Sequence, residues 1–124
     1  MNLKKIIIPS IIMILIDIIF LSNFASYLGK MIEEIQSKEF SINYPSAIAC
    51  YIMLIFSYYY FIINKDGTNI DAFILGFVIY SIYETTNMAT IKGWKMKAVV
   101  YDSLWGGSLF LLTKLISDLI ESQI

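Results

Sequence analysis

Three carboxylates stand where apolar helices should run: Asp17, Glu84 and Asp102. An ionisable group in hydrocarbon is costly, and where one occurs it marks an ion path, a proton relay or a ligand counter-ion. Glu84 and Asp102 each lie nine residues from Gly93, on opposite sides of it. A helical hairpin bending near Gly93 would bring both acids to about the same depth. Two carboxyls that close cannot both stay ionised cheaply in low dielectric, so one must take up a proton, share it, or pair with a cation. Asp17 is eleven residues from either end of the apolar run 6–28. It therefore lies deeper than the pair, and a proton or small cation could step between them.

Other polar residues accompany the acids at helical spacing. Tyr80, Glu84 and Asn87 follow i, i+4, i+7, with Tyr83 beside them, and Asp102, Trp105 and Gly106 follow i, i+3, i+4. The same hairpin register sets Tyr80 opposite Gly106. Gly106 and Gly107 remove side-chain bulk, which suits close helix packing or leaves room for a ligand. Asn87 is placed to orient Glu84 or to touch a ligand, while Thr85, Thr86 and Thr90 are expected to bond back to helix carbonyls. The candidate transport or binding set is thus Asp17, Glu84, Asp102, Asn87, Tyr80, Tyr83 and Trp105, with Gly106 and Gly107 for packing. A purely structural alternative has Tyr80, Asn87 and Trp105 hydrogen-bonded to permanently protonated acids, each bond contributing about 0.6 kcal/mol. The acids and Asn87 could ligate a hard cation, but nothing in the spacing requires one, and neither a metal nor a cofactor is expected.

Composition places these residues in a membrane. The chain has 124 residues, 58% of them hydrophobic and 15% aromatic, too apolar for a soluble domain of one-domain size. A formal charge of −1 argues against nucleic acid as a partner, which calls for a basic face. With no His there is no imidazole base, no His-ligated zinc and no Glu-x-x-His di-iron helix. The single cysteine, Cys50, cannot form an intrachain disulfide and is read as packing.

The expected fold is all-α, an integral membrane protein with four transmembrane helices in an antiparallel bundle forming one domain over 1–124. The helices are expected at about 6–29, 45–63, 70–90 and 95–118. After the basic start Met1–Lys5, the first apolar run exceeds the roughly 7–15 residues of a signal-peptide core, so it reads as an uncleaved spanning helix with Pro9 in its first turn. The polar stretch 30–44 either continues that helix or lies along the interface, with Met31, Ile32, Ile35 and Phe40 on one face; a solvated connector is the plainer reading. Pro45 can open the second helix, which ends in the aromatic cluster Tyr58–Phe61 at headgroup level. Asp66-Gly67 makes a turn, and Thr68 or Asn69 caps the third helix. Gly93 suits a left-handed cap, and Trp94 reads as an interface anchor flanked by Lys92, Lys95 and Lys97.

Both termini then fall on the same side of a multi-pass protein. Lys4, Lys5, Lys65 and Lys114 lie on that side, against Lys30, Lys38, Lys92, Lys95 and Lys97 on the other. Nearly balanced lysines specify orientation weakly; the connectors 30–44 and 91–97 are assigned to the cytoplasm, with dual insertion as the alternative.

The hairpin residues also carry a resemblance. Tyr80, Tyr83, Glu84, Thr86, Asn87, Ala89, Thr90, Gly93 and Trp94, followed by Asp102, Trp105 and Gly106, fit a pattern Y-x-x-Y-[DE]-x-T-N-x-A-T-x-x-G-W and D-x-x-W-G. Together with Asp17 and Phe20-Leu21, they resemble an uncharacterised family of small bacterial membrane proteins, a domain of unknown function (DUF2177-like). The chain departs from the family in having Glu84 for the usual Asp, Phe20 for a frequent Trp, and Lys95 for a frequent Pro. The resemblance implies four membrane helices and the same polar set, and brings no activity.

Three functions compete. The first is a homo-oligomeric channel or transporter for protons or a small cation, built on the Asp17, Glu84 and Asp102 set; four short helices are too few to enclose a wide path alone. The second is a non-catalytic assembly or accessory protein whose acids lock the bundle. The third is a membrane enzyme acting on lipid or pigment, with Glu84 or Asp102 as general acid/base. The chain has no Ser/Cys–His arrangement, no Gly-rich phosphate loop and no cofactor motif, so the reading leans away from an enzyme.

Overall fold

In a computed structural model, which describes residues 3–124, the chain is all-helical. Among the described residues there are four α-helices, α1 (Lys4–Gln36), α2 (Tyr44–Tyr58), α3 (Asn69–Thr90) and α4 (Met96–Gln123), and one π-helical turn, Tyr59–Ile63, that extends α2. Met1 and Asn2 of the basic start lie outside the described residues.

The helix ends are written locally. Asn43 caps α2, its Oδ1 accepting from the Ser46 N–H at 3.2 Å, with Pro45 in the first turn. Thr68 and Asp71 form a reciprocal capping box on α3: the Thr68 hydroxyl oxygen accepts from Asp71 N–H at 3.1 Å and the Asp71 carboxylate from Thr68 N–H at 2.8 Å. Before them the chain reverses at Asp66, in the left-handed region at φ 53°. Gly93 at φ 89° turns the chain between α3 and α4; a Cβ there would be strained.

α1 differs from expectation at both ends. It begins at Lys4, so Pro9 falls in the second turn, where it cannot donate to the Lys5 carbonyl. At its other end α1 continues to Gln36 and stops at Ser37 in the left-handed region. The extension persists because its apolar face has a partner: Met31 is buried against Trp94, Ala98 and Val99, with Ile32 and Ile35 alongside. Phe40 folds back over Gly29, its N–H bonded to Glu33 Oε1 at 3.1 Å.

Packing is uneven. α3 and α4 make the tightest pair and α1 docks on α4, whereas α2 and its π-helical extension pack more lightly on the rest. Leu54, Tyr58 and Ile62 join Met13, Ala72, Leu109 and Phe110 in the main core, with Tyr58 edge-on to Phe110 at 5.9 Å. The α3–α4 approach is backbone-close. A Cβ on Gly76 would lie 2.1 Å from the Gly106 carbonyl oxygen, and one on Gly106 would lie 2.3 Å from the Tyr80 ring. Gly107 is filled in the same way by Phe73, 2.7 Å from its missing Cβ. These glycines therefore seat aromatic rings and leave no room for a ligand on that face.

Candidate functional site

The hairpin register follows from these contacts: Tyr80 meets Gly106, and one turn along each helix Glu84 meets Asp102, their carboxyls within hydrogen-bonding reach. Glu84 is 1% exposed. One of its oxygens, Oε1, accepts from the Trp94 indole N–H at 2.8 Å. The other, Oε2, is buried with no donor. Two deprotonated carboxyls offer each other no hydrogen, so one proton between Glu84 and Asp102 is what the contact lacks.

Asp17 forms a separate centre. It is buried on α1, and its Oδ1 accepts from the Trp105 indole N–H of α4 at 2.9 Å while Oδ2 accepts from the Tyr51 hydroxyl of α2. Trp105 is fixed from the other side by stacking on Phe20, with ring centroids 4.4 Å apart and planes 6° from parallel. Trp105 is three residues beyond Asp102, so Asp17 meets α4 about one turn, roughly 4.5 Å, further from the Gly93 bend.

Asp17 and Asp102 line the same cleft of about 540 Å³. The weakly packed half of α2 leaves it open. Its walls are largely apolar, including Leu21, Phe24, Leu54 and Ile79, and Tyr51, Tyr80 and Tyr83 add aromatic faces. No lysine lines it. The three acids do not close into one shell: among the described residues no cluster of three or more could hold a metal ion.

The remaining residues of the expected set are placed differently. Tyr80 lies with its ring against Gly106 and lines the cleft. Tyr83 stands at the rim, 53% exposed, one turn from Asn87. Tyr83 is the i−4 neighbour of Asn87, and the indole of Trp94 is the donor found on Glu84. Thr85 and Thr90 do bond back, to the Ser81 and Thr86 carbonyls at 2.6 and 2.8 Å.

Two residues escaped the sequence reading. Trp94, expected at the interface, is 8% exposed and donates to Glu84; the Gly93 turn brings its indole back onto α3. Tyr51 was not singled out, although a Tyr in the middle of an apolar run, away from the aromatic belt, needs a partner for its hydroxyl. Cys50, expected in packing, is exposed and borders the cleft.

Among the described residues, three helices are long and apolar enough to cross a membrane: Lys4–Gln36, Tyr44–Ile63 and Met96–Gln123. Residues 2–119 match the model of a family described as a predicted membrane protein (DUF2177). No curated protein and no solved structure matches the chain.

Proposed function

The chain belongs to that family of predicted membrane proteins, and on this premise we propose that all four helices span the bilayer as an antiparallel bundle that carries protons or a small cation at its carboxylates. The case for α3 as the fourth span is its outer face. Ile70, Ile74, Val78 and Ile82 are all exposed, and at 22 residues the helix is about 33 Å long, enough for a hydrocarbon core of about 30 Å. Its mean hydropathy is lowered by Tyr80, Glu84 and Asn87, on or beside the face turned to the rest of the bundle. Antiparallel spans put both termini on one side, with the connectors 37–43 and 91–95 opposite.

The observation that carries the transport reading is the buried, donor-less Oε2 of Glu84 beside Asp102, on a cleft that Asp17 also lines. Such a pair needs a proton or a cation, and Asp102 gives it an opening to the cleft. Asp17 supplies a second carboxylate about one turn deeper. Because a single chain leaves the cleft open at α2, the working unit is a homo-oligomer. Proton or cation flux into proteoliposomes tests this, with Asp102→Asn and Glu84→Gln each expected to remove most of it. Unchanged flux in Asp102→Asn sinks the reading.

One observation favours the accessory reading instead: both Asp17 oxygens are taken by donors on other helices, as a structural clasp would have them. Under that reading the Glu84→Gln, Asp102→Asn double variant keeps both oligomer and cellular phenotype.

A further inference from the structure

We infer that the cleft binds a lipophilic organic cation, a single positive charge on an apolar body, in competition with the proton held at Glu84 and Asp102. The inference rests on the proposed use of these carboxylates for protons, and puts an organic cation in the place of the small inorganic one.

The cleft is the wrong shape for a bare ion. Its volume of about 540 Å³ is that of an organic-ligand site, for which about 300–1,000 Å³ is usual. A small inorganic cation would need several oxygens closing around it, and the acids here do not form such a shell. Most of the wall is hydrocarbon, so the occupant must bury an apolar body.

The polar groups fix its charge. Asp17 and Asp102 bring carboxylates to the wall, and no lysine compensates them there. Phe24, Tyr51, Tyr80 and Tyr83 present rings to the same space. An aromatic face attracts a cation through the ring quadrupole, more strongly when water is excluded. Carboxylates and rings around an apolar cleft complement an organic cation and disfavour an anion or a neutral polar molecule.

The competition follows from the groups that face Asp102. These are Glu84 beside it on α3 and, lining the same cleft, Tyr80 and Tyr83 on α3, Asp17 on α1, and Cys50 and Tyr51 on α2. None of them is a cation, so positive charge at Asp102 is either the proton or the ligand. Arrival of the ligand releases the proton, and acidification expels the ligand. In a membrane that opposition would exchange one organic cation for one proton across the bilayer.

Tetraphenylphosphonium is a suitable probe, because it has no titratable group and any pH dependence belongs to the protein. Its binding to the purified full chain in detergent is measured between pH 6 and 8, with the neutral triphenylphosphine oxide as control. One proton displaced per cation gives an affinity that rises by up to about tenfold per pH unit, with protons released into weakly buffered solution. Asp102→Asn is expected to weaken binding about thirtyfold or more and to abolish the pH dependence. Tyr83→Leu, at the exposed rim, should cost about two- to fivefold. Should Asp102→Asn misfold, judged by elution and tryptophan fluorescence, the wild-type pH series and the neutral control still decide. Equal binding of the neutral analogue, pH-independent binding, or no binding overturns the inference. If proteoliposomes pass protons but the protein binds no tetraphenylphosphonium, the proton reading stands and this one falls.

Discussion

Asp17 draws its two donors from α2 and α4, 34 and 88 residues away in the chain, whereas Glu84 finds Trp94 and Asp102 on its own hairpin, Trp94 only 10 residues on. The first centre is saturated, each carboxylate oxygen having a neutral donor. The second keeps an unmatched oxygen beside another acid. The first arrangement suits a clasp between helices; the second suits the proton exchange proposed above. The Glu84–Asp102 centre is complete once α3 and α4 pair, while the Asp17 centre exists only after α1 and α2 have docked. It also gives α2 its one side-chain hydrogen bond to another helix among the described residues.

The comparison breaks most readily at the hairpin itself. Gly76→Ala puts a Cβ against the Gly106 backbone, which cannot yield as a side chain could. The expected loss is at or above the upper end of the about 1–3 kcal/mol typical of overpacking, seen as a lowered Tm in detergent. Wild-type stability would mean that α3 and α4 are not pressed together as described.

A smaller pair of variants separates the two centres. Tyr51→Phe and Trp94→Phe each remove one donor, and each should cost about 1 kcal/mol. Their locations should differ. Tyr51→Phe should quicken hydrogen exchange in α2 and leave the α3–α4 hairpin protected, and Trp94→Phe should loosen the 91–95 turn and the start of α4. If Tyr51→Phe loosens the hairpin equally, the two centres form one cooperative unit.

Asn87→Ala should have the smallest effect, within about 0.5 kcal/mol, since Asn87 is only half-buried. Proton flux should likewise be unchanged. A marked fall in flux would return Asn87 to the role of orienting Glu84.

Much of this architecture can be read along the chain. The start of α2 at Pro45, the cap at Thr68, the turn at Asp66 and the bend at Gly93 depend on residues within a few positions of one another. Counting nine residues each way from Gly93 sets Glu84 against Asp102 and Tyr80 against Gly106, because two helices of equal pitch leaving one bend keep a common register. The same counting leaves the partner of Asn87 open, for Tyr83 and Glu84 are adjacent on the helix and periodicity alone cannot choose between them. It also misread Trp94, whose amphipathic ring suits a membrane interface as well as a buried carboxylate.

What the sequence by itself determined is the local and the periodic: four helices, the cap of α3, the hairpin register, and three acids within apolar helices. Only the tertiary structure decided which donors reach those acids, that Gly106 and Gly107 are filled by Tyr80 and Phe73, and that α2 stands off far enough to leave a cleft. The physical reason is range. Capping and register follow from bonded geometry over a few residues, whereas the partners of Asp17 are chosen by the docking of helices whose outer faces are all apolar and whose order around α4 no local pattern encodes.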